Sequence, residues 1–323
     1  MTREELLALL WQRADSYISG EELARHFSVS RSAVWKTIGQ LREKGYSIES
    51  VPNRGYCLLS ASDVLSEEGI RRHLRHRELL LQVHRTVTST NTVLKALAAE
   101  GAPAGLALIA GEQTAGRGRM GRSFYSPADS GLYMSLLLRP NMSAMAATRL
   151  TACAAVAAAE TIEELSGRKS EIKWVNDIFV DGRKVCGILT EASVDCENGM
   201  MHYVIIGLGV NTHVPEGDFP EELREIAGAA FGTQGIPELR CRLAAGILDR
   251  LAEYTKKTEA PEIFAAYKSR SLVLGKPVNI LSPGKDPVPA EALDLWEDYS
   301  LLVRLPDGST SQLSSGEVSI RIG

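Results

Sequence analysis

Cysteine is scarce and unpatterned in this chain: Cys57, Cys153, Cys186, Cys196 and Cys241 are widely spaced, odd in number and without a metal-ligand rhythm. That spacing speaks against a disulfide framework or a zinc site and favours a reducing, cytoplasmic setting. Long apolar runs are missing too, and none approaches the roughly 18 residues of a membrane-spanning helix. Arg149, Glu160, Glu163 and Glu164 interrupt the alanine-rich stretch 144–165, and Thr2, Arg3, Glu4 and Glu5 break the start of the chain where an export signal would lie. Positive charge is not in excess. With a formal net charge of −4, any contact with nucleic acid must come from a local basic surface. What remains, 44% hydrophobic and 24% charged residues over 323 positions, is ordinary globular composition with length for about two or three domains.

The most informative stretch is Gly111-Glu112-Gln113-Thr114-Ala115-Gly116-Arg117-Gly118-Arg119-Met120-Gly121-Arg122, which follows the apolar run 106–110, read as a buried strand. Gly116, Gly118 and Gly121 let backbone amides approach a ligand, while Arg117, Arg119 and Arg122 supply forked donors suited to phosphate and carboxylate. No Lys followed by Ser or Thr closes the loop as a P-loop would. The spacing is not that of a dinucleotide fingerprint, and 123–127 does not open a helix. A basic surface turn is the competing reading, weakened by the apolar strands on either side.

The first sixty residues read as a winged helix-turn-helix. Leu6, Leu7, Leu9 and Leu10 give one helix an apolar face; Ser19 caps a second, with Glu22 completing a capping box; Val34, Ile38 and Leu41 define a third that ends near Gly45. The outward residues Arg31, Ser32, Trp35 and Lys36 suit a helix lying in a DNA major groove, with Thr37 a further candidate for contact with DNA. Strands at 46–50 and 55–59 then frame a wing with Arg54 at its tip. Arg31, Lys36, Arg42, Lys44 and Arg54 face only Glu43 and Glu49 over this interval, so the local charge is positive. A winged helix used for protein contact, with Trp35 in its core, is the alternative.

A polar connector, with a short helix from Ser62, leads to a mixed α and β region. Strands are expected at 79–84, 106–110, 131–138, 172–180, 183–191 and 204–211, and helices after Ser89-Thr90-Asn91, over 144–165, over 237–255 and over 260–270. One of Ser89, Thr90 and Asn91 caps its helix, and the three present polar groups at its positive end. Asp181-Gly182 turns one strand back onto the next, which places Lys184 near the start of a return strand and leaves a ligand room beside Gly187. Short strands at 275–280, 290–295, 300–305, 310–313 and 316–320 make a small barrel-like β domain.

In order and separation, Ser89-Thr90-Asn91, Gly116-Arg117-Gly118-Arg119-Met120-Gly121, Lys173-Trp174-Val175-Asn176-Asp177, Lys184 with Cys186-Gly187-Ile188-Leu189, Gly207-Leu208-Gly209-Val210-Asn211 and Gly316-Glu317 resemble the bifunctional biotin protein ligase and biotin operon repressor family over nearly the whole chain. The resemblance implies an α+β multidomain protein. Residues 1–60 would form the winged helix, 61–78 a linker, 79–271 a mixed α/β biotin/lipoate-ligase-like catalytic domain, and 272–323 an SH3-like β-barrel. It implies an enzyme that uses ATP and Mg²⁺ to convert biotin to biotinyl-5'-AMP and then modifies a lysine of a biotin carboxyl carrier protein. The adenylate-loaded homodimer would bind operator DNA and repress biotin synthesis or uptake genes.

Carried over by residue, the resemblance assigns biotin to Ser89, Thr90, Asn91, Gln113, Gly116, Arg117, Gly118, Arg119, Lys184 and Gly187. It assigns the nucleotide to Arg119, Phe124, Lys173, Asn176, Lys184 and Asn211, and catalysis to Lys184, Arg119 and Asp177; Asp177 either carries Mg²⁺ or orients the acceptor lysine. The chain departs from the family at Val175, where proline is common, at Phe124, where tryptophan is frequent, and at Cys186, where alanine or glycine is usual. Phe124 keeps an aromatic face, and the other two keep small or medium apolar volume. A lipoate ligase shares the catalytic fold, and a DNA-binding sensor would keep the pocket without Lys184; the Gly-Arg loop and the winged helix speak against the first, Lys184 against the second.

Overall fold

The computed structural model describes residues 1–59, 62–195, 197, 199–232, 235–281, 286–314 and 316–320, so Cys196 lies outside the described residues. The chain divides into two compact units, Met1–His73 with Thr233–Ala245, and Leu74–Gly232 with Gly246–Gly323.

The first unit opens with helices α1 (Arg3–Gln12), α2 (Gly20–His26) and α3 (Arg31–Glu43), followed by the antiparallel pair β1 (Ile48–Val51) and β2 (Gly55–Leu58) and by α4 (Glu67–His73). Leu6, Leu10, Leu23, Val34, Ile38 and Leu41 close on Ile48 and Leu58 in one core, as their helical spacing requires. The Ser19 hydroxyl caps α2 by accepting from the Glu22 amide, but Glu22 turns its carboxylate to Arg13 at 2.7 Å, a longer-range charge that outcompetes the local amide. The reciprocal capping box forms instead at α1, between Thr2 and Glu5. The connector helix begins at Glu67, not at Ser62. Arg240 donates to Asp63, and Glu238 receives Arg72 and His73, tying residues 238–240 to this unit.

The second unit contains β3 (Leu80–Val87), α5 (Thr90–Ala99), β4 (Leu106–Gln113), β5 (Gly131–Leu138), α6 (Ala147–Ser166), β6 (Glu171–Lys173), β7 (Asp177–Val180), β8 (Arg183–Val194), β9 (Met201–Asn211), most of α7 (Leu239–Tyr254) and α8 (Pro261–Ser269). Its seven-stranded mixed sheet has the order β3-β4-β5-β9-β8-β7-β6. Only β3 and β4 run parallel, joined by the crossover helix α5. Alternation along the strands separates two faces. Leu137 and Ile205 pack with Leu94 and Ala98 of α5, while Thr190 points the other way and receives the Thr151 hydroxyl of α6 at 2.8 Å. The strand expected over 172–180 is broken at Trp174–Asn176 into β6 and β7, and the Trp174–Val175 peptide is cis.

The chain then forms β10 (Pro277–Leu281), β11 (Val288–Leu295), β12 (Leu301–Arg304), β13 (Thr310–Leu313) and β14 (Glu317–Ile320) in the order β13-β12-β11-β10-β14. The expected barrel is an open sheet among the described residues, because β13 and β14 end up on opposite edges with no ladder between them. It docks through Trp174, whose indole donates to the Tyr299 carbonyl at 2.8 Å, and through edge-on packing of the Tyr267 and Tyr299 rings 5.3 Å apart. No helix among the described residues is long and apolar enough to cross a membrane.

Trp174 is only 2% exposed. Trp174→Ala should therefore lower the unfolding free energy by about 3–5 kcal/mol through the lost packing. Trp174→Phe should cost about 1–3 kcal/mol, because it strands the Tyr299 carbonyl. Denaturant titration of the three proteins checks both figures, and a loss below 1 kcal/mol in both variants would show that the indole does not anchor the C-terminal sheet.

Candidate functional site

Three strand glycines open a depression in one face of the seven-stranded sheet. Gly187 and Gly209 are register partners on β8 and β9, with Gly207 two residues along β9. A Cβ at Gly209 would stand 2.4 Å from the Phe124 ring, and one at Gly207 would stand 2.0 Å from Asn91 Oδ1. The missing side chains thus seat Phe124 and Asn91 directly on the sheet. Phe124 meets Tyr133 edge to face, with ring centroids 6.4 Å apart.

The N-terminus of α5 borders this depression. Ser89 is the cap, accepting from the Thr92 amide, while Thr90 and Asn91 are buried within the first turn. The Thr90 amide donates to Gln113 Oε1 at 2.9 Å, and Gln113 Nε2 donates to Ser126 at 2.9 Å. Ser135 lies 2.7 Å from both Thr90 Oγ1 and Asn91 Oδ1. These bonds place Ser89, Thr90, Asn91 and Gln113 in one lining with Gly187, Gly207 and Gly209.

A cationic corner completes the cavity. Lys184 Nζ lies 2.7 Å from Asp177 Oδ1, and Asn176 Nδ2 donates to the same oxygen at 3.0 Å. Arg119 donates to Asn176 Oδ1 and to the Gly316 carbonyl, both at 2.8 Å, so a turn of the C-terminal sheet reaches the site. The aim of Lys184 depends on a β-bulge. Ile178 pairs with Cys186, but Phe179 pairs with Lys184, leaving Val185 unmatched. Strict alternation would put residues 184 and 187 on opposite faces; the extra residue brings the Lys184 amine within 3.4 Å of where a Gly187 Cβ would stand. Burial pushes the neighbouring Cys186 thiol well above its ordinary range, so it remains protonated.

The Gly-Arg stretch is a narrow hairpin. Phe124 N–H donates to Gly116 at 2.9 Å, Gly118 N–H donates to Arg122 at 2.7 Å, and a short turn at Arg119–Gly121 carries Met120 at φ 56°. Gly116 is buried below it, where a Cβ would stand 2.3 Å from the Phe124 carbonyl. Arg117 and Gly118 line the cavity with Arg119, Phe124, Asn176, Asp177 and Lys184. Gly116, Lys173 and Asn211 are not in the lining; Lys173 pairs with Asp177 across β6 and β7, and Asn211 donates to the Gly228 carbonyl at 3.2 Å. Sequence reasoning missed Ser126, Ser135 and Glu191, which orient the lining. Of these, Ser135 alone left a signal, as the one serine in an apolar strand.

The first unit carries a second site. A groove between α3 and the β1–β2 wing is lined by Arg31, Ser32 and Trp35 on one side and by Pro52 and Asn53 on the other. Trp35 is 69% exposed, which removes it from the core. Lys36 is exposed beside it, whereas Thr37 is half-buried and returns its hydroxyl to Ala33. Arg54 at the wing stacks 4.0 Å from the Tyr17 ring centroid. Arg42 differs: its guanidinium braces α3 against the Ile48 carbonyl at 2.6 Å and 2.8 Å.

Residues 83–211 match the biotin/lipoate A/B protein ligase family, and residues 2–57 match an HTH domain family. The bifunctional ligase/repressor BirA of Bacillus subtilis (strain 168) is 41% identical over 227 residues, 70% of this chain and 69% of the relative. BirA of Escherichia coli (strain K12) is 30% identical over 321 residues, 98% and 96% of the two chains. The structure of biotin protein ligase from Aquifex aeolicus in complex with biotin and ATP aligns with a TM-score of 0.62 and 28% identity, over 76% of this chain and 99% of that one. Two matched domains in the same order and identity sustained over both chains lead to one conclusion: this chain belongs to the bifunctional biotin ligase/repressor family.

Proposed function

We propose that this biotin ligase joins biotin to ATP in the glycine-floored cavity, forming biotinyl-5'-AMP and releasing pyrophosphate, and then passes biotin to a lysine of a biotin carboxyl carrier protein. The observation that carries this reading is the single lining shared by the polar end of α5, the Gly-Arg hairpin and Lys184. Ser89, Thr90, Asn91 and Gln113 receive the polar ring of biotin, with Gly116 shaping the hairpin beneath it. Gly187 leaves room for biotin and Phe124 bounds the nucleotide side, with Lys173 and Asn211 supporting the strands around it. A biotin carboxylate oxygen attacks the α-phosphorus as the bond to pyrophosphate breaks, which brings anions together, and Lys184 and Arg119 oppose that charge. The neutral carrier amine then attacks the acyl carbon and AMP leaves.

Asp177 holds Lys184 in place before the phosphate arrives. Among the described residues no three His, Cys, Asp or Glu side chains cluster to hold a metal. Mg²⁺ commonly rests on one or two carboxylates and substrate phosphates, which Asp177 and ATP together can offer. Bound there, it would supply further positive charge against the phosphates.

The α3 and wing groove, with Arg31, Ser32, Trp35, Lys36, Thr37 and Arg54, takes operator DNA in this reading, and the adenylate-loaded chain binds it as a homodimer. One small module makes few phosphate contacts, and two at fixed spacing combine theirs. The functional modules are then 1–60, the linker 61–78, the catalytic domain 79–271 and an SH3-like 272–323. The cytoplasm, where carrier protein and operon DNA meet, is where the chain works.

Lys184→Ala should slow single-turnover adenylate formation by about 100-fold or more while weakening titrated biotin affinity less than about tenfold, since its charge matters most as the phosphate becomes more anionic. Equal losses in both would reduce Lys184 to a ground-state contact. Arg119→Gly removes the guanidinium that ties the hairpin to Asn176 and Gly316. Adenylate should still form but dissociate about 10- to 100-fold faster, with bystander lysines becoming biotinylated; normal retention and carrier selectivity would take Arg119 out of this role. Titrating the upstream DNA of a biotin operon with and without biotin and ATP, with protein mass followed in parallel, checks the repressor half. Binding should require the adenylate-loaded dimer and weaken steeply with salt. Affinity no better than for random DNA would refute it and leave the ligase half standing.

A further inference from the structure

Glu191 stands outside the cavity lining, near the end of β8, yet three donors converge on its carboxylate. Arg117 Nη1 lies 3.1 Å and 3.2 Å from its two oxygens, Asn91 Nδ2 donates to Oε2 at 2.9 Å, and Lys95 Nζ lies 3.9 Å from Oε1. The three differ in freedom. Asn91 is 3% exposed and locked, with its amide also donating to the Leu189 carbonyl and its oxygen facing Ser135. Arg117 is 47% exposed, belongs to the hairpin and also lines the cavity. Its guanidinium therefore sits between a fixed protein carboxylate and the space where a ligand carboxylate would lie.

We propose that Glu191 is the resting counter-anion of the hairpin: it holds Arg117 at the rim of the ligand-free cavity and yields that guanidinium to the carboxylate of biotin. The proposal rests on the biotin reading of this cavity. Release is easy for two reasons. An ion pair this exposed is weak and exchanges readily, and Glu191, at 18% exposed, keeps Asn91 and Lys95 after Arg117 leaves, so no buried charge is stranded. Glu191 is thus a positioning residue with two separable duties. Any acceptor can orient the Asn91 amide, whereas only a charge competes with the ligand for Arg117.

Glu191→Gln separates the duties, because it retains an oxygen for Asn91 and loses the charge. The variant should bind biotin about three- to fivefold tighter than the parent, the competing anion being gone. It should bind biotinamide, whose carboxamide is neutral, with unchanged affinity. In an Arg117→Ala background the gain should vanish. Glu191→Ala, which also removes the acceptor for Asn91, should weaken both ligands, so a merely structural loss has its own signature. A ligand-free readout is independent of what the cavity binds: trypsin should cleave after Arg117 about three- to fivefold faster in Glu191→Gln than in the parent. Unchanged cleavage overturns the latch whatever the ligand. Parallel weakening of biotin and biotinamide by Glu191→Gln overturns the competition. A parent protein that binds neither, with cleavage still accelerated, overturns the biotin reading of the cavity and with it the exchange partner named here.

Discussion

A sheet can hold a substrate on its face only where it gives up side chains, and this site depends on that surrender at Gly187, Gly207 and Gly209. Strand glycines cost roughly 0.5–1 kcal/mol each relative to alanine. The cost is offset locally because the vacated positions are filled from above by the Phe124 ring and the Asn91 amide. Those two groups come from different parts of the chain, the Gly-Arg hairpin and the first turn of α5, and both are registered against the same strand pair. The geometry of the cavity is therefore a property of β8 and β9 before it is a property of any loop.

Much of this was readable from residue order. The helical spacing of Leu6, Val34, Ile38 and Leu41 and the turn at Asp181-Gly182 carry local information, and the structure contains the corresponding elements. The residues named for biotin and nucleotide mostly meet in one lining because each lies in a short motif whose chemistry is visible without neighbours. What was not readable depends on register. Ser135 is one hydroxyl in an apolar strand, and Glu191 is one acid on a long one; nothing in either neighbourhood shows that both face Asn91. Gly207 and Gly209 stood in a conspicuous motif, but their partners are about a hundred residues away. Glu22 misled for the same reason, since a local capping pattern does not reveal Arg13.

The C-terminal sheet had no assigned purpose in the sequence, and its place follows from two kinds of contact. The Trp174 indole and the Tyr267 and Tyr299 rings fix it by burial, while the Gly316 carbonyl meets Arg119 by a directed hydrogen bond. The first kind supplies stability and the second supplies position. Trp174 opens the break that leads through Asn176 to Asp177, so the anchoring residue and the polar residues of the site share one short segment of chain.

The bulge between β7 and β8 has an evolutionary consequence. Lys184 faces the cavity because Val185 is an uncounted residue in the ladder, not because of its own chemistry. Inserting one residue opposite Val185, between Ile178 and Phe179, would restore regular pairing, leave the alternation of β8 from Gly187 onward undisturbed and turn the lysine to the far side of the sheet. Such a descendant would keep its fold, its groove on the winged helix and a cavity of nearly the same shape. It would have lost the amine that faces the cavity. A binding protein and a ligase can in this way lie one codon apart on the same scaffold, which makes the residue count of β7 opposite Val185 as diagnostic of activity in related chains as the lysine itself.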